Sequence, residues 1–463
     1  MKQFTYSFYN PWFLLIALNA CLFVSCKKFV AIPKPVEQLP AESVFNNDNA
    51  TLQAITGIYS EMMNNPQQFS NGQVTLLAGM CADELYSYTP GFTDEFINNE
   101  ISQNNHGNLE SYFWNPCYRY IYAANKIIEG TAKSNSLSPL VKKMATGESK
   151  FIRAFCYFYL VNLFGDVPLI LESEYQNNQS LPRISKATIY SQIINDLKDA
   201  KDLVLSNYPA QERTRPNKMA VSSLLARVYL TMQDWINAET EASFVINSGF
   251  YALNNNLNDV FLKNSGETIW QLKPVNPSRN TWEGYSIIPP SPSSAPTYLV
   301  TNNLLNSFEL NDQRKTNWLK AHVFASQTFY YPYKYKIISG STVTEYYIIL
   351  RLAEQYLIRA EARIYQNNIS GAQSDINLIR TRAGLSNTTS NDKPSILSAI
   401  EQERRIELFS EWGHRWFDLK RTGRATAVLS LLKPATWQPT DELWPIPQSQ
   451  INLNSFLVQN PGY

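Results

Sequence analysis

The chain has 463 residues, 44% of them hydrophobic and 13% aromatic, so it can bury a large core as one big domain or two fused lobes. Charged residues make up 17% of the chain and the formal net charge is +1, which argues against nucleic acid or a strongly ionic ligand. The 27 Tyr and 10 Trp residues pair apolar faces with polar tips, a combination that suits wet binding surfaces.

Residues 1–25 have the layout of a bacterial signal sequence. Lys2 gives a basic start, an apolar run follows, and small Ser25 precedes Cys26. The run is short for a membrane span and fits a secretory leader. We expect residues 1–25 to be a lipoprotein signal peptide with Cys26 lipidated. Cys21 is a rival lipidation site, and an ordinary cleaved signal or a single-span anchor is the alternative.

After the leader, residues 26–40 are broken by prolines and are expected to form an extended tether to one domain at 41–463. Apolar spacing predicts a helix between Pro40 and Asn65. Asp83–Asn108 is polar, rich in Asn and aromatic residues, and follows neither a helical nor a strand period. Loops of this length in compact domains tend to be functional or disordered.

A helix that is apolar nearly all round lies in Glu148–Leu171, which predicts a buried central helix. Ser138 followed by Pro139 fits the cap and first position of this helix. Gly165 suits the left-handed position after a helix, and Pro168 cannot continue one. The sequence therefore predicts a long buried helix that ends sharply and is followed by an extended segment.

A repeat follows the amphipathic helix predicted at Ser185–Ser206. Lys218–Gly249 and Glu345–Gly384 each read as helix, short polar turn, packing Ala, second helix and Gly. Small residues at the crossing allow close packing, as in helical hairpins of the tetratricopeptide type. We expect a mostly α fold, a stack of about three or four hairpins built from residues 41–250 and 345–463.

Between the two clear hairpins, residues 251–344 form the largest insertion, rich in Pro, Asn, Ser and aromatic residues. Thr268–Leu272 and Phe329–Ile338 are predicted to pair as small strands. Because the insertion keeps many large apolar residues, we expect an irregular, loop-rich lobe that rides on the helical stack.

Ser395–Leu432 is predicted to be helical and is rich in charged residues. They are Glu401, Glu403, Glu407, Glu411, Arg404, Arg405 and Arg415. A glycosidase needs two carboxylates ~5–10 Å apart, but Glu401 and Arg405 have the spacing of an ion pair on a helix surface. The three His residues lie far apart, and neither a nucleotide loop nor a serine-hydrolase motif is present. We therefore expect no enzyme activity, no cofactor and no metal.

Four motifs in order resemble the SusD-like (RagB/SusD) family of nutrient-binding outer-membrane lipoproteins. They are the leader ending at Cys26, FGDVPL at 164–169, EQERRIELFSEWGHRWFDLKRTG at 401–423, and LWPIP with QNPGY at 443–447 and 459–463. The resemblance implies a surface-exposed, lipid-anchored protein of the outer membrane. It would capture an oligosaccharide or other nutrient and deliver it to a partner SusC-like TonB-dependent transporter. Alternatives are a peptide-binding relative, a protein-binding tetratricopeptide-type scaffold and, with less support, a glycosidase.

In that family the ligand-binding aromatic residues come from loops, and the matching regions here are Asp83–Asn108 and Pro274–Tyr331. The predicted stacking residues are Tyr86, Tyr88, Phe92, Trp282, Tyr285 and Trp318, and the predicted polar partners are Asn104, Arg279 and Asn280. Trp282 ranks first because its stretch has no apolar period. For each aromatic residue the competing interpretation is core packing, which large rings adopt more often than display.

Overall fold

A computed structural model describes Gln3, residues 41–64 and residues 67–463. Apart from Gln3, the predicted signal peptide, the lipidation site Cys26 and the tether lie outside the described residues. Among the described residues, no helix has both the length and the apolar character needed to span a membrane.

The chain divides into two compact units, Met1–Val44 and Phe45–Tyr463. In the first unit the structure describes the short helix Ala41–Val44. The second unit contains the whole of the large core, and all the architecture described below belongs to it.

The fold of the second unit is mostly α, as predicted. The helices used below are α1 (Asp48–Asn64), α2 (Asn115–Lys133), α3 (Pro139–Phe164), α4 (Lys186–Leu203), α5 (Lys218–Thr231), α6 (Trp235–Ile246), α7 (Trp282–Ile287), α8 (Leu352–Tyr365), α9 (Ile369–Arg382), α10 (Lys393–Glu407), α11 (His414–Arg421) and α12 (Ala425–Leu432). Shorter helical segments are Phe69–Ala78, Gly79–Cys81, Asp94–Asn98, Asn105–Gly107, Glu110–Trp114, Tyr175–Asn178, Leu257–Asp259, Asn302–Leu305, Gln313–Trp318, Pro439–Glu442 and Gln448–Leu453. Helices therefore make up most of the regular structure of this unit.

Helix α3 is the predicted central helix, and nearly all of its second half is buried. Ser138 caps it, since the Ser138 hydroxyl accepts from Val141 N at 3.3 Å, and Pro139 is its first residue. Gly165 ends it at φ 73°, and a Cβ there would lie 2.9 Å from the Leu443 side chain. The sequence-based boundaries of this helix are confirmed.

Leaving aside α7, which lies in the lobe, each helix from α2 to α10 packs on the next, with α6 against α8, so that the predicted tetratricopeptide-like stack is confirmed. The hairpins α5–α6 and α8–α9 occupy the two repeats. Their small residues Ala226, Ala238, Ala362 and Ala372 are all fully buried. Side chains of this size let the helix axes approach closely, which explains why the repeats carry Ala there.

Six short strands form three antiparallel pairs in the described part of the chain. Strands β1 (Leu85–Ser87) and β3 (Tyr298–Val300) pair, as do β2 (Thr268–Leu272) with β6 (Tyr347–Arg351) and β4 (Leu319–Phe324) with β5 (Gln327–Pro332). The strand predicted at Thr268–Leu272 is confirmed, whereas the one predicted at Phe329–Ile338 ends at Pro332. The two do not pair with each other, because β6 runs directly into α8 and brings β2 onto the helical stack.

The expectation that Asp83–Asn108 follows no regular structure is wrong at three places. It contains strand β1, helix Asp94–Asn98 and a helical turn at Asn105–Gly107. The pairing of β1 with β3 ties this segment to the lobe, since Tyr86 lies opposite Leu299 in the register. This segment has no regular sequence pattern, but hydrogen bonds to a strand far away in the chain give part of it regular structure.

The charged residues of the C-terminal helices do not form the expected surface ion pairs. Glu401 contacts Arg415 at 3.1 Å rather than Arg405, which instead donates to Asp83 at 2.8 Å. Glu407 is fully buried and therefore cannot form an ion pair on the surface. The pattern that reads as a helix surface therefore belongs to a buried ionic network.

That network centres on Glu407, whose carboxylate accepts from Arg351 at 2.6 Å and from Arg314 at 3.1 Å, and also from Arg382. Burial alone would raise the pKa of Glu407, but the guanidinium groups of Arg382, Arg351 and Arg314 hold it well below its usual range. Opposite charges are needed here because an unpaired buried charge costs several kcal/mol. The network joins the lobe, β6 and the hairpin helices.

Candidate functional site

Three of the predicted site residues converge on one surface. The rings of Trp282 and Tyr285 lie 5.4 Å apart between centroids, tilted by 34°. The Arg279 guanidinium carbon lies 3.7 Å from the Tyr285 ring centroid and 5.9 Å from that of Trp282. Tyr285 is 38% exposed, and Arg279 and Trp282 are half-buried. We call these three residues the aromatic platform.

The platform is held by the start of α7 and by an interrupted helix beneath it. Thr281 caps α7 by accepting from Gly284 N at 3.0 Å. Gly72, at φ 94°, interrupts the helix Phe69–Ala78, and a Cβ on Gly72 would come within 2.5 Å of the Trp282 ring. The indole therefore packs directly on glycine backbone, which only a residue without a side chain permits. Because its Nε1 has no hydrogen-bond partner among the described residues, packing alone fixes the ring.

Asn280 does not belong to the exposed platform, so its predicted role as a polar ligand contact is wrong. It is fully buried. Its Oδ1 accepts from Thr344 N at 2.6 Å and from Glu345 N at 2.8 Å. The Asn280 amide thus links the segment before α7 to the segment before β6, and it is not free to bind a ligand.

Trp318 is also misplaced by the sequence-based prediction. It is fully buried, and its Nε1 donates to Leu257 O at 3.0 Å. Phe261 packs against its ring edge-on, and the Lys334 ammonium lies 4.7 Å from the ring centroid. A ring with no exposed face cannot stack on a ligand, so Trp318 is a core residue.

Tyr88 and Phe92 are half-buried members of small aromatic clusters. The Tyr88 ring packs edge-on against Phe324 and Phe329, with ring centroids 5.8 Å and 5.4 Å away. The Phe92 ring packs against Tyr112 with a centroid separation of 6.3 Å. The partners of both lie on elements that sequence reasoning did not connect to them. Each ring has one side packed and is available to a ligand only through its remaining surface.

Tyr86 is half-buried and lines an open cavity of about 460 Å³. The platform is linked to it through the fold, because α7 packs against β3 and β3 pairs with β1, which carries Tyr86. Asn104 is exposed, and no hydrogen bond in the described part of the chain links its side chain to the platform. The structure thus brings Arg279, Trp282 and Tyr285 together, places Tyr86 on a neighbouring strand, and leaves Asn104 apart.

A buried carboxyl group, that of Glu283, lies in the same helix as the two rings. Burial of Glu283, which follows Trp282 in α7, raises its pKa to about 8, while the Tyr347 hydroxyl donates to its Oε1 at 2.9 Å. The exposed face offers two aromatic rings and one guanidinium group. Such a surface stacks on the apolar face of a neutral ligand and donates hydrogen bonds to its oxygen atoms.

In the part of the chain that the structure describes, no group of three or more His, Cys, Asp and Glu could hold a metal ion. Sequence reasoning missed Gly72 as the floor of the platform. The available signal was the dipeptide Asn71-Gly72, which marks a break in regular structure. The arrangement is that of a binding surface.

Two family models match the chain. One, described as "Starch-binding associating with outer membrane", matches residues 36–230, and the other, described as the SusD family, matches residues 300–463. Among relatives, the SusD-like protein P25 of Formosa agariphila is 25% identical and is covered over 97% of its length by 95% of this chain. The two models together cover most of both parts of the helical stack and the lobe from residue 300 onward.

Solved structures share the fold over nearly the whole chain. A SusD superfamily protein from Bacteroides vulgatus superposes with a TM-score of 0.79 at 20% identity, over 90% of this chain and 100% of that chain. A laminarin-binding SusD-like protein gives a TM-score of 0.76 at 23% identity with the same coverage. With both family models matched and this fold shared, the chain belongs to the SusD-like (RagB/SusD) family.

Proposed function

We propose that this protein binds an oligosaccharide on the aromatic platform of Arg279, Trp282 and Tyr285. The observation that carries the proposal is the pair of rings, Tyr285 exposed and Trp282 half-buried, with centroids 5.4 Å apart and a guanidinium group stacked on Tyr285. Sugar rings have apolar CH faces that pack on aromatic rings, and hydroxyl groups that accept from a guanidinium. The "starch-binding" description of a matching family model supports this ligand class.

Oligosaccharide capture serves uptake in this proposal. Residues 1–25 are removed as a signal peptide, Cys26 carries the lipid, and residues 26–40 tether one binding domain to the outer surface of the outer membrane. The protein hands its ligand to a SusC-like TonB-dependent transporter and performs no catalysis. The family description that mentions the outer membrane supports this location. Weak binding suits release, and a platform of three side chains gives affinities of ~mM to µM.

Replacement of Trp282 with Ala tests the platform. We expect a loss of ~1–3 kcal/mol in binding free energy, because half of the stacking surface disappears. Isothermal titration with soluble starch and laminarin, preceded by a glycan array to find other ligands, measures this change. Binding per folded molecule is the quantity compared, with the folded fraction obtained from thermal unfolding.

Trp235→Ala is the matched control. Trp235 is also a half-buried indole, but it stacks on Tyr365 at 3.9 Å within the helical hairpins. We expect this variant to lose stability without losing affinity. If Trp282→Ala and Trp235→Ala bind every glycan equally well, the ligand site does not lie on the platform.

A further inference from the structure

A second cleft lies between the start of α2, the segment after α3 and the C-terminal helix Gln448–Leu453. Its volume is about 630 Å³, within the ~300–1,000 Å³ range of small-molecule sites. The cleft opens beside Tyr175, which is 71% exposed and stands at its edge. Neither the platform residues nor Tyr86 line it.

The described residues that line this cleft are unusually rich in side-chain amides. Five of them are Asn115, Asn178, Gln179, Gln450 and Asn454. Rings come from Trp114, Tyr118 and Tyr175. Among these described lining residues none is Asp, Glu or Lys, and the one charged group is Arg119, whose side chain is 55% exposed. Such a lining suits an uncharged ligand with many hydroxyl groups.

The walls of the cleft are fixed by hydrogen bonds to the backbone. The Tyr118 hydroxyl donates to Pro168 O at 2.9 Å, and Asn454 Nδ2 donates to Leu181 O at 2.9 Å. Asn178 Nδ2 donates to Glu172 O, also at 2.9 Å. A site held in this way loses little freedom when it binds a ligand, so weak individual contacts can add up.

Two amide oxygens remain available in the cleft. Gln450 uses its Nε2 to donate to Glu110 at 2.7 Å, and Asn178 uses its Nδ2 as described. Within the described residues, neither amide Oδ1 of Asn178 nor Oε1 of Gln450 accepts a hydrogen bond. Acceptors beside an exposed tyrosine ring provide both kinds of contact that a sugar needs: a stacking face and partners for hydroxyl groups.

We propose that this cleft is a second binding site for a neutral oligosaccharide, separate from the platform. The ligand class rests on the proposed function, while the residues are independent of it. The segment Glu110–Trp114 borders the cleft through Trp114, while its Tyr112 packs against Phe92 with ring centroids 6.3 Å apart.

The test compares four proteins: wild type, Trp282→Ala, Tyr175→Ala and the double variant. The probes are maltohexaose and laminarihexaose, together with a glycan array, and binding is followed by titration calorimetry and saturation-transfer NMR. We expect wild type to show two sites and Trp282→Ala to retain the cleft site. Adding Tyr175→Ala should weaken that remaining site by about tenfold or more through loss of stacking.

Tyr122→Ala is the matched control, since Tyr122 is 48% exposed on the same helix α2 but does not line the cleft. It should bind as wild type does. If the double variant binds the hexasaccharides as tightly as Trp282→Ala alone, the second site is overturned.

The remaining outcomes separate the two proposals. Binding that is lost with Tyr175→Ala but unaffected by Trp282→Ala would overturn the platform and support the cleft. Failure of every neutral glycan on the array to bind wild type would overturn both sites. If Tyr175→Ala keeps all sugar affinity and instead binds a peptide or protein partner less well, the cleft is a docking surface and the proposal is overturned.

Discussion

At the scale of single residues, two side chains of the same type can differ in how far they are exposed to solvent. Trp282 and Trp318 both lie in the irregular lobe, yet Trp282 stays half-buried on a glycine floor while Trp318 is enclosed. The division follows from neighbours that are remote in sequence, such as Gly72 and Leu257. Local pattern carries no information on such neighbours, because each is chosen by the folding of a different segment.

The role of Asn280 also follows from its contacts as a single residue, since its side chain accepts from two backbone N–H groups. Asn280→Ala would leave the backbone N–H groups of Thr344 and Glu345 without their acceptor in a buried place. We expect a loss of ~1–3 kcal/mol in the free energy of unfolding, measured by urea denaturation. Ligand affinity per folded molecule should stay close to that of wild type.

Asn104→Ala is the comparison for this substitution. Its side chain is exposed, so we expect a change within ~0.5 kcal/mol in stability. A large loss of affinity in Asn280→Ala with unchanged stability would return Asn280 to the ligand site as the sequence first predicted.

At the scale of elements, the short helix α7 contains both rings of the platform, and it also contains the buried carboxyl group of Glu283. Burial raises the pKa of Glu283 to about 8, with Glu411 opposing ionisation and the Tyr347 hydroxyl and Lys334 favouring it. The folded protein therefore keeps a proton that the unfolded chain releases above pH ~4.5. The stability contributed by this group is complete below that pH and is lost as the pH rises to about 8.

Glu283→Gln removes this dependence, because a glutamine is neutral at every pH and close in shape. Relative to wild type, we expect the variant to gain stability between pH 5 and pH 8 by roughly 1–3 kcal/mol. Urea unfolding at several pH values in this window gives the difference. Glu174→Gln, at an exposed position, should leave the wild-type curve unchanged, and parallel curves for Glu283→Gln and wild type would refute the assignment.

At the scale of the whole molecule, the helical stack is a frame on which the lobe is fastened by strands and charges. Strand β2 of the lobe pairs with β6 at the head of α8, and Arg351 at the end of β6 bonds to Glu407 and Glu411. A rigid frame of this kind positions loop residues for binding. In the proposed uptake role, the frame also presents the captured ligand to a membrane partner.

Delivery is tested on the full-length protein in its membrane. We expect wild type to fractionate with the outer membrane and a TonB-dependent transporter to co-purify with it in detergent. Cys26→Ser should release the protein from the membrane, because the lipid supplies the anchoring free energy.

Retention of Cys26→Ser in the outer membrane with label from radioactive palmitate would move the lipidation site to Cys21. Cys156→Ser is the control: Cys156 is a buried free thiol of the folded domain. Its loss should leave membrane attachment intact. Recovery of soluble proteins alone with the wild type would favour the scaffold interpretation.

The sequence by itself determined the helices and their order. The cap at Ser138, the stop at Gly165 and the two Ala-marked hairpins were readable because each depends on residues three to twelve positions apart. Helical periodicity, capping and small crossing residues act locally, so a single chain reveals them. The family resemblance followed from the same local motifs.

Only the tertiary structure decided which of the candidate residues share a surface. The charges of α10 read as a helix surface but belong to a buried network, since their partners Arg314 and Arg351 come from other segments. Arg279, Trp282 and Tyr285 were each candidates and lie close together in the sequence, but the surface they share rests on a backbone segment remote in the chain. Gly72 beneath them, the burial of Asn280 and Trp318, and the cleft beside Tyr175 depend on contacts between segments far apart in the chain, which no local pattern encodes.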